Sequence, residues 1–251
     1  MIFYSFIWGL VLGSFLNVCI YRIPLKRSIV SPPSECPYCG EKIRPYDNIP
    51  LFSYLFLKGK CRYCRNHISW QYPAVEVLTG LLSLFSFIRY GLTYQYFLVL
   101  FLLGVLLTIS FIDLYHKIIP DILTLPGIVA GWASSFVFAN ITWLDSFIGI
   151  MAGGGSLFVV AFVYERITGR EGMGGGDVKM LAMIGAWMGW RPLPLIVLIS
   201  SLTGTLIGLA FILLAGKEYR FKIPFGPFLA FGTVIYLFFG PELTGGYFRL
   251  L

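Results

Sequence analysis

The sequence predicts an all-α polytopic membrane protein of about eight transmembrane helices, with one small cytoplasmic zinc-ribbon-like insert. Three observations lead there. Of its 251 residues, 57% are hydrophobic and only 12% charged, and the mean hydropathy is +0.80; a soluble domain carries about 25% charge. Apolar runs recur along the chain at lengths near the ~20 residues that a crossing helix needs. One long polar segment, residues 22–72, interrupts them and holds four of the five cysteines.

The apolar runs fall near residues 2–20, 74–89, 94–112, 122–140, 144–164, 178–190, 193–215 and 224–240. The first is read as a retained span rather than a cleaved signal, because no basic region precedes it and no small-x-small site follows before Arg22. The run at 178–190 is short, and suits a tilted or partly re-entrant helix. The organisation expected is a first helix at 1–21, the insert at 22–72 and a membrane-embedded domain at 73–251.

Orientation follows from Lys and Arg. If the first helix runs from outside to inside, 22–72 is cytoplasmic and holds nine of them. Lys117, Arg166, Arg170, Lys179, Lys217, Arg220 and Lys222 fall on the same side. Only Arg89, Arg191 and Arg249 remain outside, so sixteen of the nineteen are cytoplasmic. That split predicts an even number of spans with both termini outside. The net charge of +7 is then a consequence of membrane orientation and calls for no nucleic-acid partner.

The insert carries "CPYC" (Cys36, Cys39) and "CRYC" (Cys61, Cys64), and "CPYCGEKI" and "CRYCRNHI" share Cys, Tyr, Cys and Ile in register. Two CxxC turns can each offer two thiolates and together close a tetrahedral zinc site. Twenty-one residues lie between Cys39 and Cys61, a spacing close to that of zinc ribbons. The competing reading is two disulfides, which a reducing cytoplasm disfavours. A segment of about fifty residues has little core of its own, so bound metal would supply folding energy. His67 is a weaker candidate ligand. Cys19, inside the first apolar run, reads as a small hydrophobe.

Three carboxylates sit at the ends of apolar runs. Asp113 closes "LLTISFID", Asp121 follows Pro120 and is expected to cap the next helix, and Asp177 ends the glycine stretch of "GMGGGDVK" (172–179). The topology puts Asp113 and Asp177 at the same depth, on the same side, on different helices. Ionisable residues at membrane depth are expensive and point to function. Two facing carboxylates do not ionise together easily, which suits a general base and a general acid acting on one water. The local alternatives are an N-cap for Asp177 and a solvated helix end for Asp113. Gly174, Gly175 and Gly176 remove side chains beside Asp177 and permit close approach of another strand. Lys179 and His116 nearby are read as solvated or lipid-facing.

These residues resemble a known family. "LGSFLNVCIYRIP" (12–24), the paired CxxC motifs, "NIPLFSYLFLKGKC", "ISWQYPAVEVLTG", "FIDLYHKIIPD" and "GMGGGDVK" resemble, in order, the motifs of the type IV prepilin peptidases. These are bifunctional leader peptidases and N-methyltransferases of bacterial pilus and type II secretion systems. The resemblance implies a GxGD-type aspartyl protease with Asp113 and Asp177 as its catalytic pair. It implies prepilin and pseudopilin substrates, whose basic leaders end in glycine, at the cytoplasmic side of the inner membrane. It also implies methylation of the new N-terminus by S-adenosylmethionine, although no Rossmann glycine fingerprint marks a donor site. The implied mechanism is direct attack by water while the substrate's apolar helix lies in the bilayer and its leader rests on the anionic lipid face.

Two other classes compete. An ion or proton relay shares the helices and the carboxylates, but leaves the cysteine insert unexplained and shows no inverted repeat. A membrane-anchored binding module leaves the two carboxylates unexplained.

Overall fold

The computed structural model describes residues 1–137, 141–169, 174–215 and 224–247. Gly172 and Met173 of the glycine stretch lie outside these residues, as do Arg170, Lys217, Arg220, Lys222 and Arg249 of the charge pattern. Among the described residues the helices are α1 (Ile2–Arg22), α2 (Phe52–Phe56), α3 (Gln71–Tyr90), α4 (Tyr94–His116), α5 (Asp121–Ser134), α6 (Trp143–Thr168), α7 (Gly175–Met188), α8 (Leu193–Ala215) and α9 (Gly226–Tyr247). No β-strand occurs among them, so the all-α class holds.

Each of the eight apolar runs forms a helix, because a backbone in lipid must satisfy its own hydrogen bonds. Six of these helices, α1, α3, α4, α6, α8 and α9, are long and apolar enough to cross a membrane. Eight crossings are not confirmed. Helices α5 and α7 have 14 residues each, or about 21 Å at 1.5 Å per residue against a hydrocarbon core of ~30 Å. The ends are set locally. Past α5, the Ser134 and Ser135 hydroxyls turn back to the Gly131 and Trp132 carbonyls. Helix α7 stops at Gly189, whose φ of 75° a side chain disfavours.

The chain forms two compact units, Met1–Thr108 and Ile109–Leu251, with α4 running from one into the other. In the first, α1 packs along α3. The buried Ser83 hydroxyl donates to the Ser5 carbonyl at 2.6 Å and lies 2.7 Å from the Tyr96 hydroxyl. The Asn17 amide of α1 donates to the Tyr72 carbonyl at the start of α3, 3.0 Å away.

In the second unit α7 is the centre. Met180, Leu181, Met183 and Ile184 are fully buried, between α5 on one side and α6 on the other. Gly149 of α6 and Gly185 of α7 bring the two backbones into contact, and a Cβ on either would overlap the other's carbonyl. The Trp187 indole donates to the Gly127 carbonyl at 2.9 Å, and Ser146 to Ala186 at 2.7 Å. Helices α8 and α9 pack as a pair.

Candidate active site

The last turns of an apolar helix leave carbonyls without intrahelical partners, and a carboxylate there is costly unless something meets it. Asp113 stands in that position on α4 and is only 5% exposed. The backbone N–H of Gly226, at the start of α9, donates to its Oδ2 at 3.0 Å. Asp177 is in the first turn of α7, where Gly174 is the cap residue and accepts from the Asp177 amide at 3.1 Å. The two carboxylates lie close enough for the charge on Asp113 to act on Asp177. Neither takes part in an ion pair among the described residues.

Ile119 fills the space beside them. A Cβ on Gly176 would come within 2.7 Å of the Ile119 Cβ, and one on Gly226 within 2.7 Å of Asp113 Oδ2. Gly176 and Gly226 are therefore places where only hydrogen fits. Gly175 faces open space instead, in keeping with a strand approaching the stretch before Asp177.

Asp121 corrects the sequence reading. Pro120 holds the cap position of α5, Asp121 is the first helical residue, and it makes no side-chain cap bond. Its carboxylate pairs with Lys179 at 2.7 Å. Lys179, expected to be solvated or lipid-facing, thus ties the start of α7 to the start of α5.

The four cysteines of the insert converge. The sulfurs of Cys36, Cys39, Cys61 and Cys64 lie within 4.8 Å of one another, and all four are free thiols. The sequence repeat is also a structural repeat. Cys36 N–H donates to Glu41 and Gly40 N–H to Cys36, and Cys61 to Asn66 and Arg65 to Cys61 in the same way. The bridge pairing Glu35 with Lys42 recurs as Lys60 with His67. Hydrogen bonds from the Cys64 and Tyr63 amides hold the Cys61 thiol down to about 7. Zinc–sulfur bonds of about 2.3 Å in a tetrahedron put sulfurs about 3.8 Å apart, and the Cys36 and Cys64 sulfurs are 3.8 Å apart. The cluster therefore fits a tetrahedral metal ion. His67 is not part of it.

The model of the bacterial peptidase A24 N-terminal domain matches residues 7–90, and that of the type IV leader peptidase family matches residues 100–209. The chain is 40% identical to a prepilin leader peptidase/N-methyltransferase of Pseudomonas aeruginosa, over 96% of this chain and 91% of that one. The chain belongs to the type IV leader peptidase family. It is also 39% identical to the protein of that name from Xanthomonas campestris and 38% identical to the one from Aeromonas hydrophila, each over 96% of this chain and 92% of the relative. No solved structure matches it. None of these matches supports the ion-relay alternative.

The first match, to the N-terminal domain, covers most of α1, both cysteine turns and α3, and the second contains Asp113 and Asp177. Within the first lies a cavity of about 430 Å³, lined by the facing ends of α1 and α3 and by both halves of the insert. Sequence reasoning passed over its two innermost polar residues, Asn17 and Glu76. The available signal was a polar side chain inside an apolar run, as in "SFLNVCI" and "PAVEVLTG". It also passed over Gly226, whose only mark is a glycine between Phe and Pro in "IPFGPF".

Proposed function

We propose that this chain removes the basic leader from prepilins and pseudopilins at the cytoplasmic face of the bacterial inner membrane, then methylates the new N-terminal amine. The observation that carries the first activity is the buried Asp113, held by Gly226 N–H, with Asp177 near enough to feel its charge. One Asp113 oxygen is occupied by that donor, so the other is free to accept a proton from water. A donor on the carboxylate favours its charged form, and Asp113 has one while Asp177 receives no side-chain hydrogen bond among the described residues, so Asp177 is the member that holds the proton. Water adds to the scissile carbonyl as Asp113 takes its proton. Asp177 delivers its own to the leaving amine as the C–N bond breaks. No covalent enzyme intermediate is involved. The apolar part of the substrate lies in lipid, and its basic leader rests on the anionic face; no nucleic acid takes part.

In this reading the chain divides into a first helix (1–21), a zinc-binding insert (22–72) and a protease domain (73–251). Cys36, Cys39, Cys61 and Cys64 hold a structural zinc ion. S-Adenosylmethionine supplies a methyl group: the S–CH3 bond breaks, an N–CH3 bond forms, the sulfur becomes a neutral thioether and the amine releases a proton to water. The cavity of the first unit fits such a donor in size, and the buried Asn17 Oδ1, which has no hydrogen-bond partner among the described residues, is an acceptor waiting for a donor group.

The test is mass spectrometry of a tagged prepilin incubated with the purified protein and S-adenosylmethionine. Loss of the leader and gain of one methyl on the new N-terminus are expected. An uncut substrate overturns the reading.

A further inference from the structure

The cavity at the ends of α1 and α3 has an unusual floor. Asn17 is 2% exposed; its Nδ2 donates to the Tyr72 carbonyl, and its Oδ1 meets no donor among the described residues. Glu76 is 7% exposed. Its Oε2 accepts from the Leu51 N–H at 2.8 Å, and Ser14 also hydrogen-bonds to it. No cation pairs with it among the described residues. A buried carboxylate normally has a counter-charge. The obvious one, Arg22, is turned away: its guanidinium donates to the Ser28, Pro32 and Pro33 carbonyls at 3.0, 2.7 and 3.4 Å. Arg62, also on the wall, is paired with Asp47. Arg27, Lys42, Glu35 and Glu41 lie on the exposed rim and mix both signs. Tyr21, Tyr54 and Tyr72 supply aromatic surface.

Such a floor has an excess of acceptors, a carboxylate with no paired cation among the described residues, and π-faces around it. It suits a ligand with cationic and N–H-donating groups. We propose that this cavity is the methyl-donor site, that Asn17 holds the ammonium group common to donor and product, and that Glu76 selects the sulfonium donor over its thioether product. Asn17 Oδ1 accepts from the donor's ammonium group, and Glu76 provides the counter-charge. Loss of the sulfonium charge on methyl transfer then weakens the hold on the product and promotes exchange. The inference rests on the methyltransferase reading above.

Calorimetric titration of the purified full-length protein with S-adenosylmethionine and with S-adenosylhomocysteine, without pilin, separates the two. The wild type is expected to favour the methyl donor by about tenfold or more, as one desolvated charge pair allows. Glu76→Gln keeps the shape and the Leu51 hydrogen bond, and is expected to bring the two ligands to similar affinity. Glu41→Gln removes a rim charge and should leave the preference in place. Asn17→Ala removes the acceptor that both ligands share, so it should weaken both by a similar factor and leave the preference in place; it serves if Glu76→Gln loses its metal or melts early. No binding of the donor to the wild type overturns the methyltransferase reading together with this inference. Donor binding with a preference that survives Glu76→Gln, or with affinities for both ligands that Asn17→Ala leaves unchanged, overturns the inference alone.

Discussion

The amide of Gly226 donates to the Asp113 carboxylate at 3.0 Å, across 113 positions of sequence. A backbone donor cannot be removed by side-chain substitution, but it can be displaced. In Gly226→Ala the new Cβ would stand 2.7 Å from Asp113 Oδ2, so the carboxylate must swing or α9 must shift. We expect kcat for leader cleavage to fall roughly 10- to 100-fold with KM little changed, the signature of a misplaced reacting group. A larger effect on KM than on kcat in steady-state cleavage assays would assign Gly226 to substrate binding instead.

Asp113→Asn and Asp177→Asn should each lower cleavage by on the order of 10³-fold or more, and the double variant should be little worse than either, because the pair acts as a unit. Both proteins should retain their metal and their donor affinity, since the cysteine cluster and the Asn17 cavity belong to the other compact unit. Single-turnover cleavage with a synthetic prepilin gives the rates. An Asp177→Asn protein that cuts at near wild-type rate removes the dyad.

Metal analysis of protein purified without chelator should find about one zinc per chain. Serine at Cys36, Cys39, Cys61 or Cys64 should lower that content and increase protease sensitivity between residues 22 and 72. A mapped disulfide between Cys36 and Cys39 in active protein would replace the metal site.

The Asp47–Arg62 pair gives the insert a pH dependence. The Arg62 guanidinium, hydrogen-bonded at 2.5 Å, holds the Asp47 carboxyl below its ordinary range. A lowered folded value means that this stabilisation is complete above the unfolded pKa of about 3.9 and is lost as pH falls through the folded one. Asp47→Asn should therefore melt slightly earlier than wild type at neutral pH, since an exposed pair contributes little. The gap should close below about pH 4. Thermal melts of both proteins across that range check it, and a gap that is constant with pH would mean the pair contributes nothing through charge.

Local features were legible in the sequence, and pairings over distance were not. Each apolar run declared its helix, because a lipid-facing helix must be continuous and self-satisfied. The CxxC turns declared the thiol cluster, since two cysteines of each half lie in one turn. Asp113 and Asp177 stood out as charges at the ends of such runs. The number of crossings was not legible, because the ends of α5 and α7 depend on serine back-bonds and one left-handed glycine rather than on hydropathy. Asp121 reads as a cap by propensity, but the helix starts at that residue and Lys179 captures its carboxylate instead. Asn17 and Glu76 come to line one cavity only after α1 and α3 pack, and periodicity carries no trace of that.

The two cysteine turns repeat one backbone but not one chemistry. Gly40 and Arg65 occupy the same left-handed position, at φ 70° and 59°, and only the glycine takes it without strain. The arginine copy gives up roughly 1–2 kcal/mol to hold that shape. Pseudo-symmetry in the folded insert thus conceals an unequal order of unravelling. When chelation frees the sulfurs, deuterium should enter the amides around Cys61–Asn66 before those around Cys36–Glu41, so that the second turn is the fraying end and the first is the part that waits for the metal to return.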